Sequence, residues 1–139
     1  WLIEQMQTTE PAQVAGEAFT MITGADLVRD GLKGESLYDF DEDPNDDPED
    51  DNVAMDPDEQ LPWPDSQLAA AWWQQRRDAF DNGTRYFLGK TISAGHLRQV
   101  LCSGSQHQRA CAAMELALLN PGLPLVETRA PGFRQVRTT

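Results

Sequence analysis

The chain reads as a mainly α-helical protein: short helical hairpins of the kind that end an α-solenoid, a small two-stranded β element and one long acidic loop. Three observations predict this. Apolar residues recur at helical spacing in segments divided by Gly, Pro and Asn. The net charge of −12 is concentrated: residues 39–59 hold 12 of the 23 acids and no base, so the other 118 residues carry 11 acids against 11 bases. The aromatic run Arg85-Tyr86-Phe87-Leu88 has strand character but is too short for more than a small sheet.

Each element has its own signal. Trp1, Leu2, Ile3 and Met6 close an amphipathic helix over 1–7, with Glu4 and Gln5 outward. Thr8-Thr9-Glu10-Pro11 breaks and restarts it, because Pro11 suits a first helical position, where a missing N–H costs nothing. Val14, Ala15, Ala18, Phe19 and Ile22 then form one stripe, and Gly24 suits the left-handed residue that ends such a helix. Residues 25–38 stay ambiguous: Leu27, Val28, Leu32, Leu37 and Tyr38 are apolar, but Gly31 and Gly34 interrupt. Residues 39–64 hold five of the nine prolines and the clustered acids, which predicts a loop. Its apolar Phe40, Val53, Met55, Leu61 and Trp63 are the residues that would pin it to the body.

Asp65 is an N-cap for a helix marked by Leu68, Ala69, Trp72, Trp73, Arg76 and Phe80 and stopped by Asn82-Gly83. The strand at 85–88 is expected to pair with Leu125-Val126-Glu127-Thr128. Ser93 caps a helix over 94–102, Ser103-Gly104-Ser105 turns, and Ser105 caps a helix over 106–119. Ala110, Met114, Ala117 and Leu118 line one side of that last helix. Asn120-Pro121-Gly122 ends it, and an irregular tail follows from Ala130. The expected organisation is a helical hairpin at 1–24, an irregular part at 25–64, a helical module at 65–122, and an extended element with the tail at 123–139.

Composition excludes some functions. A neutral body with an acidic segment offers no basic face for nucleic acid and no polybasic run for an anionic membrane. No apolar run approaches the roughly 20 residues that span a bilayer. The chain opens on Trp1-Leu2-Ile3 without a basic leader, so no signal peptide is expected, and an opening inside an apolar block suggests that an upstream part has been removed. Cys102 and Cys111 are too few for a disulfide framework, and reduced thiols in a cytoplasmic protein are expected.

Four groups of residues carry candidate chemistry. Trp72, Trp73, Arg76 and Arg77 form the densest aromatic and cationic cluster, with each Trp–Arg pair at i, i+4. Trp and Arg are enriched in interface hot spots, so these four are the candidate interface; one tryptophan is expected toward the core and the other at its rim. Asp41, Asp43, Asp46, Asp47, Glu49, Asp50 and Asp51 are the acidic-loop candidates for a basic partner. Asp39, Asp41 and Asp43 have the opening spacing of a calcium loop, but Pro44 replaces the glycine and Asp50 the glutamate such a loop needs. Arg76, Arg77 and Arg85 are the cations that would hold the acidic segment against the body. His96, Cys102, His107 and Cys111 fall within sixteen residues, which allows a zinc site or a Cys–His nucleophile, although no Cys-x-x-Cys is present. No phosphate loop, His-Glu-x-x-His or Gly-x-Ser-x-Gly occurs. No cofactor is expected.

Two resemblances add to this reading. Trp1-Leu2-Ile3-Glu4-Gln5-Met6, Pro11-Ala12, Val14-Ala15-Gly16-Glu17-Ala18 and Ile22 resemble a HEAT repeat of the phycobilisome-lyase type. Ile22-Thr23-Gly24, Asp56-Pro57-Asp58-Glu59, Leu61-Pro62-Trp63-Pro64-Asp65, Trp72-Trp73, Gly83-Thr84-Arg85-Tyr86 and Arg129-Ala130-Pro131-Gly132-Phe133-Arg134 resemble the C-terminal part of a bacterial family of HEAT-repeat proteins associated with type VI secretion gene clusters. The resemblance implies a helical repeat body upstream and no activity to carry over; the lyase of the repeat's name describes some of its hosts. The expected function is a non-catalytic scaffold or adaptor that binds a protein partner. The alternatives are a module regulated by calcium or zinc and, more remotely, an enzyme with a Cys/His site.

Overall fold

The computed structural model describes residues 1–35, 58, 60–122 and 124–129. It is mainly helical with one small antiparallel sheet, and it divides into two compact units, Trp1–Asn82 and Gly83–Thr139. The division falls inside the stretch 65–122, after its first helix.

In the first unit a single helical turn, α1 (Leu2–Gln5), packs on α2 (Ala12–Thr23) and on α3 (Ser66–Arg76). Gly24 ends α2 in the left-handed region at φ 74°, its N–H donating to Thr20 O at 2.8 Å. The buried stripe of α2 is Ala12, Ala15, Gly16, Phe19 and Thr23. The expected stripe shared Ala15 and Phe19 with it, but Val14 and Ile22 are exposed, which is a correction. The reason is close approach. A Cβ on Gly16 would stand 2.9 Å from Leu27 Cδ1 and 3.1 Å from Pro64 Cγ, so the side of α2 that carries Gly16 turns inward, together with Phe19. The core comprises Met6, Ala15, Phe19, Ala25, Leu27, Leu32 and Ala69, with Leu2, Ile3, Trp72 and Trp73 packed against it.

The ambiguity at residues 25–35 resolves into one capped turn. Asp26 Oδ1 accepts from Val28 N at 3.0 Å and Arg29 N at 2.8 Å, while Asp26 N donates to Asp30 Oδ2 at 2.9 Å. Residues on the two sides of the acidic stretch then pair. Lys33 bridges Pro64, Gly34 N donates to Trp63 O at 2.8 Å, and Asp65 N donates to Leu32 O at 2.8 Å. Gln13 Nε2 donates to Leu61 O at 2.6 Å and to Asp58 O at 3.1 Å. Asp65 is the N-cap the sequence predicts: its Oδ1 accepts from Gln67 N and Leu68 N at 2.8 and 2.9 Å.

In the second unit β1 (Tyr86–Phe87) pairs antiparallel with β2 (Lys90–Thr91), Tyr86 opposite Thr91 and Phe87 opposite Lys90. This corrects the expected pairing of 85–88 with 124–128; residues 124–129 form no strand. A two-residue turn closes the ribbon, with Leu88 at φ 49° and Gly89 at φ 75°, the backbone that matches strand twist. Its sequence signal was masked because a leucine stands where asparagine or glycine is usual.

Helices α4 (Ala94–Ser103) and α5 (Gln106–Leu119) form the hairpin the sequence predicts. Ser105 and Gln108 make a reciprocal capping box at the start of α5. Arg109 Nε donates to Leu101 O at 2.8 Å and closes the carboxyl end of α4. Leu97, Val100 and Leu101 are buried as expected, together with Phe87, Ala112, Ala113 and Thr128. The side of α5 that carries Met114 and Leu118 is the outer one, with Met114 59% and Leu118 66% exposed, and the small Ala112 and Ala113 are buried. No helix among the described residues is long and apolar enough to cross a membrane.

Candidate interaction surface

The candidate interface residues lie on and just after α3 and divide by role. Trp72 meets Phe19 of α2 edge to face, with ring centroids 5.6 Å apart and planes at 76°. The Arg76 guanidinium lies 4.6 Å over the Trp72 ring, which is the i, i+4 stacking read from the sequence. Arg76 also acts on Asp30. The Asp26 backbone N–H holds the Asp30 carboxyl below its ordinary value; desolvation works against this, and the charges of Arg29 and Arg76 reinforce it. Trp72 and Arg76 therefore tie α3 to α2 and to the 26–30 turn.

Trp73 stands about 100° away around α3, the angle between successive helical residues. It packs on Phe80 at 5.2 Å between centroids and against the core, and it lines a groove. Both tryptophans are half-buried, so the expected split into one core and one rim tryptophan gives way to two partly buried rings. Arg77 ion-pairs with Asp78 at 3.8 Å, both side chains largely in solvent, a pair of small energetic weight.

The groove has a volume of about 330 Å³ and is lined by Trp1, Leu2, Ile3, Phe19, Ile22, Thr23 and Trp73. Thr23 is its only hydroxyl, and that hydroxyl is committed: it donates to Phe19 O at 2.7 Å and accepts from Ala25 N at 3.2 Å. What remains is an apolar trough between α1, the end of α2 and Trp73. Trp1, Leu2, Ile3 and Ile22 were not singled out as site residues. Ile22 stands seven residues after Ala15 and three after Phe19, at the edge of the buried face of α2, so periodicity alone gave no sign that it would be exposed.

The other candidates fall differently. Asp41, Asp43, Asp46, Asp47, Glu49, Asp50 and Asp51, and with them the calcium reading, lie outside the described residues. The four Cys/His residues are described and do not converge. His96 turns toward the ribbon, donating from Nε2 to Phe87 O at 2.8 Å with its ring 6.2 Å from the Phe87 ring. Cys102 is exposed on α4, and Cys111 sits on α5; both are thiols. Among the described residues no three His, Cys, Asp or Glu side chains gather closely enough to hold a metal ion. This overturns the four-ligand zinc reading, because hairpin geometry points His96 inward and leaves Cys102 outside. Arg85 pairs with Glu115 of α5.

Comparison of the chain with protein-family models, with curated proteins and with solved structures finds no match.

Proposed function

We propose that this chain is a non-catalytic protein–protein interaction module, the C-terminal part of a cytoplasmic HEAT-like repeat protein, and that it receives a partner in the groove beside Trp73. The observation that supports this is the groove itself: an apolar trough of about 330 Å³ with a candidate hot-spot tryptophan in its wall. Exposed apolar concavities of this kind suit an apolar anchor from a partner, and aromatic walls supply the largest share of such contacts. The HEAT-like part of the proposal rests on the α1–α2 hairpin and on the residues that resemble the repeat. The secretion-cluster association rests on the resemblance alone.

A photo-crosslinking amino acid at position 22, in the full-length protein in its host, tests the reading. The expected result is a discrete crosslinked protein that disappears with Ile3→Asp, while Val28→Asp, on an exposed residue outside the groove, leaves it in place. A truncation of a groove side chain at the centre of such a contact is expected to cost about 2 kcal/mol or more of binding. A crosslinking pattern identical in the wild type and Ile3→Asp overturns the groove. Deleting residues 39–59 in parallel separates the two partner readings, since loss of the partner on deletion would move the binding role to the acidic segment.

A further inference from the structure

The even balance of charge outside residues 39–59 is a sum over two opposite halves, and the boundary between the two units exposes it. Residues 1–82 carry 21 acids and 4 bases, a net −17, of which 39–59 supply 12. Residues 83–139 carry 2 acids and 7 bases, a net +5. With 39–59 set aside, the first unit still holds 9 acids against its 4 bases, −5 against the +5 of the second. The second unit also hides half of its negative charge. Glu115, one of its two acids, has a side chain only 18% exposed and pairs with Arg85. Lys90 on β2, Arg98 on α4 and Arg129 beyond α5 stand exposed, and none of the three makes an ion pair among the described residues. The second unit is therefore a cationic surface on a chain of net charge −12.

We propose that the second unit is an interaction surface for a second copy of this chain, which meets it with the acid-rich first unit. Charge complementarity selects this partner. The three exposed cations stand on separate elements, so they do not form a pocket for one anion. They suit a partner whose carboxylates are distributed, as the 21 acids of residues 1–82 are distributed along the chain. At physiological ionic strength exposed charges more than about 8 Å apart are largely screened, so the surfaces in contact outweigh the repulsion between two chains of net −12. Nucleic acid fits less well. Its negative charge is uniform, and the rings of the ribbon on which bases would stack are half-buried at Tyr86 and buried at Phe87. This contact is independent of the groove beside Trp73, so either proposal can fail without the other.

The test is sedimentation velocity of the full chain over a range of concentrations at about 0.1 M and about 0.5 M salt, between which the screening length falls from about 10 Å to less than half of that. The expected result is a mass that rises with concentration at the lower salt and stays monomeric at the higher. Lys90→Glu combined with Arg98→Glu, both exposed positions, weakens the association about tenfold or more, and so does deletion of 39–59. Mixing these two variants restores it, because one keeps the acid-rich unit and the other the cationic one. Far-UV circular dichroism checks that each variant stays folded. Ile3→Asp, in the groove, leaves the association unchanged. A mass that stays monomeric at both salt concentrations overturns the proposal. So does association that survives the double charge reversal, fails to return on mixing or is lost with Ile3→Asp. Salt-sensitive binding of a single-stranded oligonucleotide that the double reversal abolishes also overturns it, since that assigns the cations to nucleic acid.

Discussion

Two glycines in helices of this chain have opposite fates, and their environments decide which. Gly16 faces Leu27 and Pro64 at distances a Cβ cannot share, whereas a Cβ on Gly95 would meet nothing within 4 Å. Helix propensity favours Ala over Gly by about 1 kcal/mol at both. At Gly16 overpacking, typically about 1–3 kcal/mol, outweighs that gain. Gly16→Ala is therefore expected to destabilise the first unit by about 1 kcal/mol and Gly95→Ala to stabilise the second by about 0.5–1 kcal/mol, as read by urea unfolding. Asp30 gives a pH-dependent case. Its folded-state pKa is lowered, so it contributes stability that is present above the unfolded value of about 3.9 and is lost as pH falls through the folded value. Melting curves of Asp30→Asn should lie below those of the wild type at neutral pH and merge with them in acid; a constant gap down to strong acid would contradict this. Asp65, Ser93 and Ser105 were legible as caps from the sequence, because a cap bonds to backbone two or three residues away and needs nothing distant.

At the scale of elements, helix existence was legible and helix orientation was not. Periodicity marks a stripe, but α2 and α5 each carry two candidate stripes, one of large apolar residues and one of small ones. In α5 the small one went inward, and in α2 Ala12, Ala15 and Gly16 went inward together with Phe19. Close helix packing rewards Ala and Gly, which leaves Val14, Ile22, Met114 and Leu118 outside. One of these, Ile22, lines the groove. The start of α5 depends on the Ser105–Gln108 capping box, and Ser105→Ala is expected to cost about 1 kcal/mol. All four tryptophans lie in residues 1–82, so fluorescence reports the first unit. The loss should therefore appear in the unfolding curve followed by circular dichroism, with the tryptophan signal unmoved.

At the scale of the whole chain, the acidic stretch connects points that are already adjacent. Leu32 and Asp65, and Gly34 and Trp63, share backbone hydrogen bonds of 2.8 Å. A short linker can make the same connection. Replacing residues 36–57 with about five Gly and Ser residues shortens the connection by roughly two doublings of length, each worth about 0.6 kcal/mol in closure entropy. The first unit is expected to remain folded and to gain about 1 kcal/mol, measured by urea unfolding followed through tryptophan fluorescence. Loss of the folded baseline would show that the stretch is required for the core.

The sequence by itself determined the helical class, the caps and turns that begin and end the helices, the Trp72–Arg76 stack and the concentration of the net charge in 39–59. Each rests on neighbours a few residues apart, where spacing alone fixes geometry. The tertiary structure decided the partner of β1, the inward face of α2 and of α5, the pairing of 32–34 with 63–65 and the groove beside Trp73. Those depend on which surfaces can approach most closely, and close approach is a property of two elements together, which no single stretch of sequence specifies.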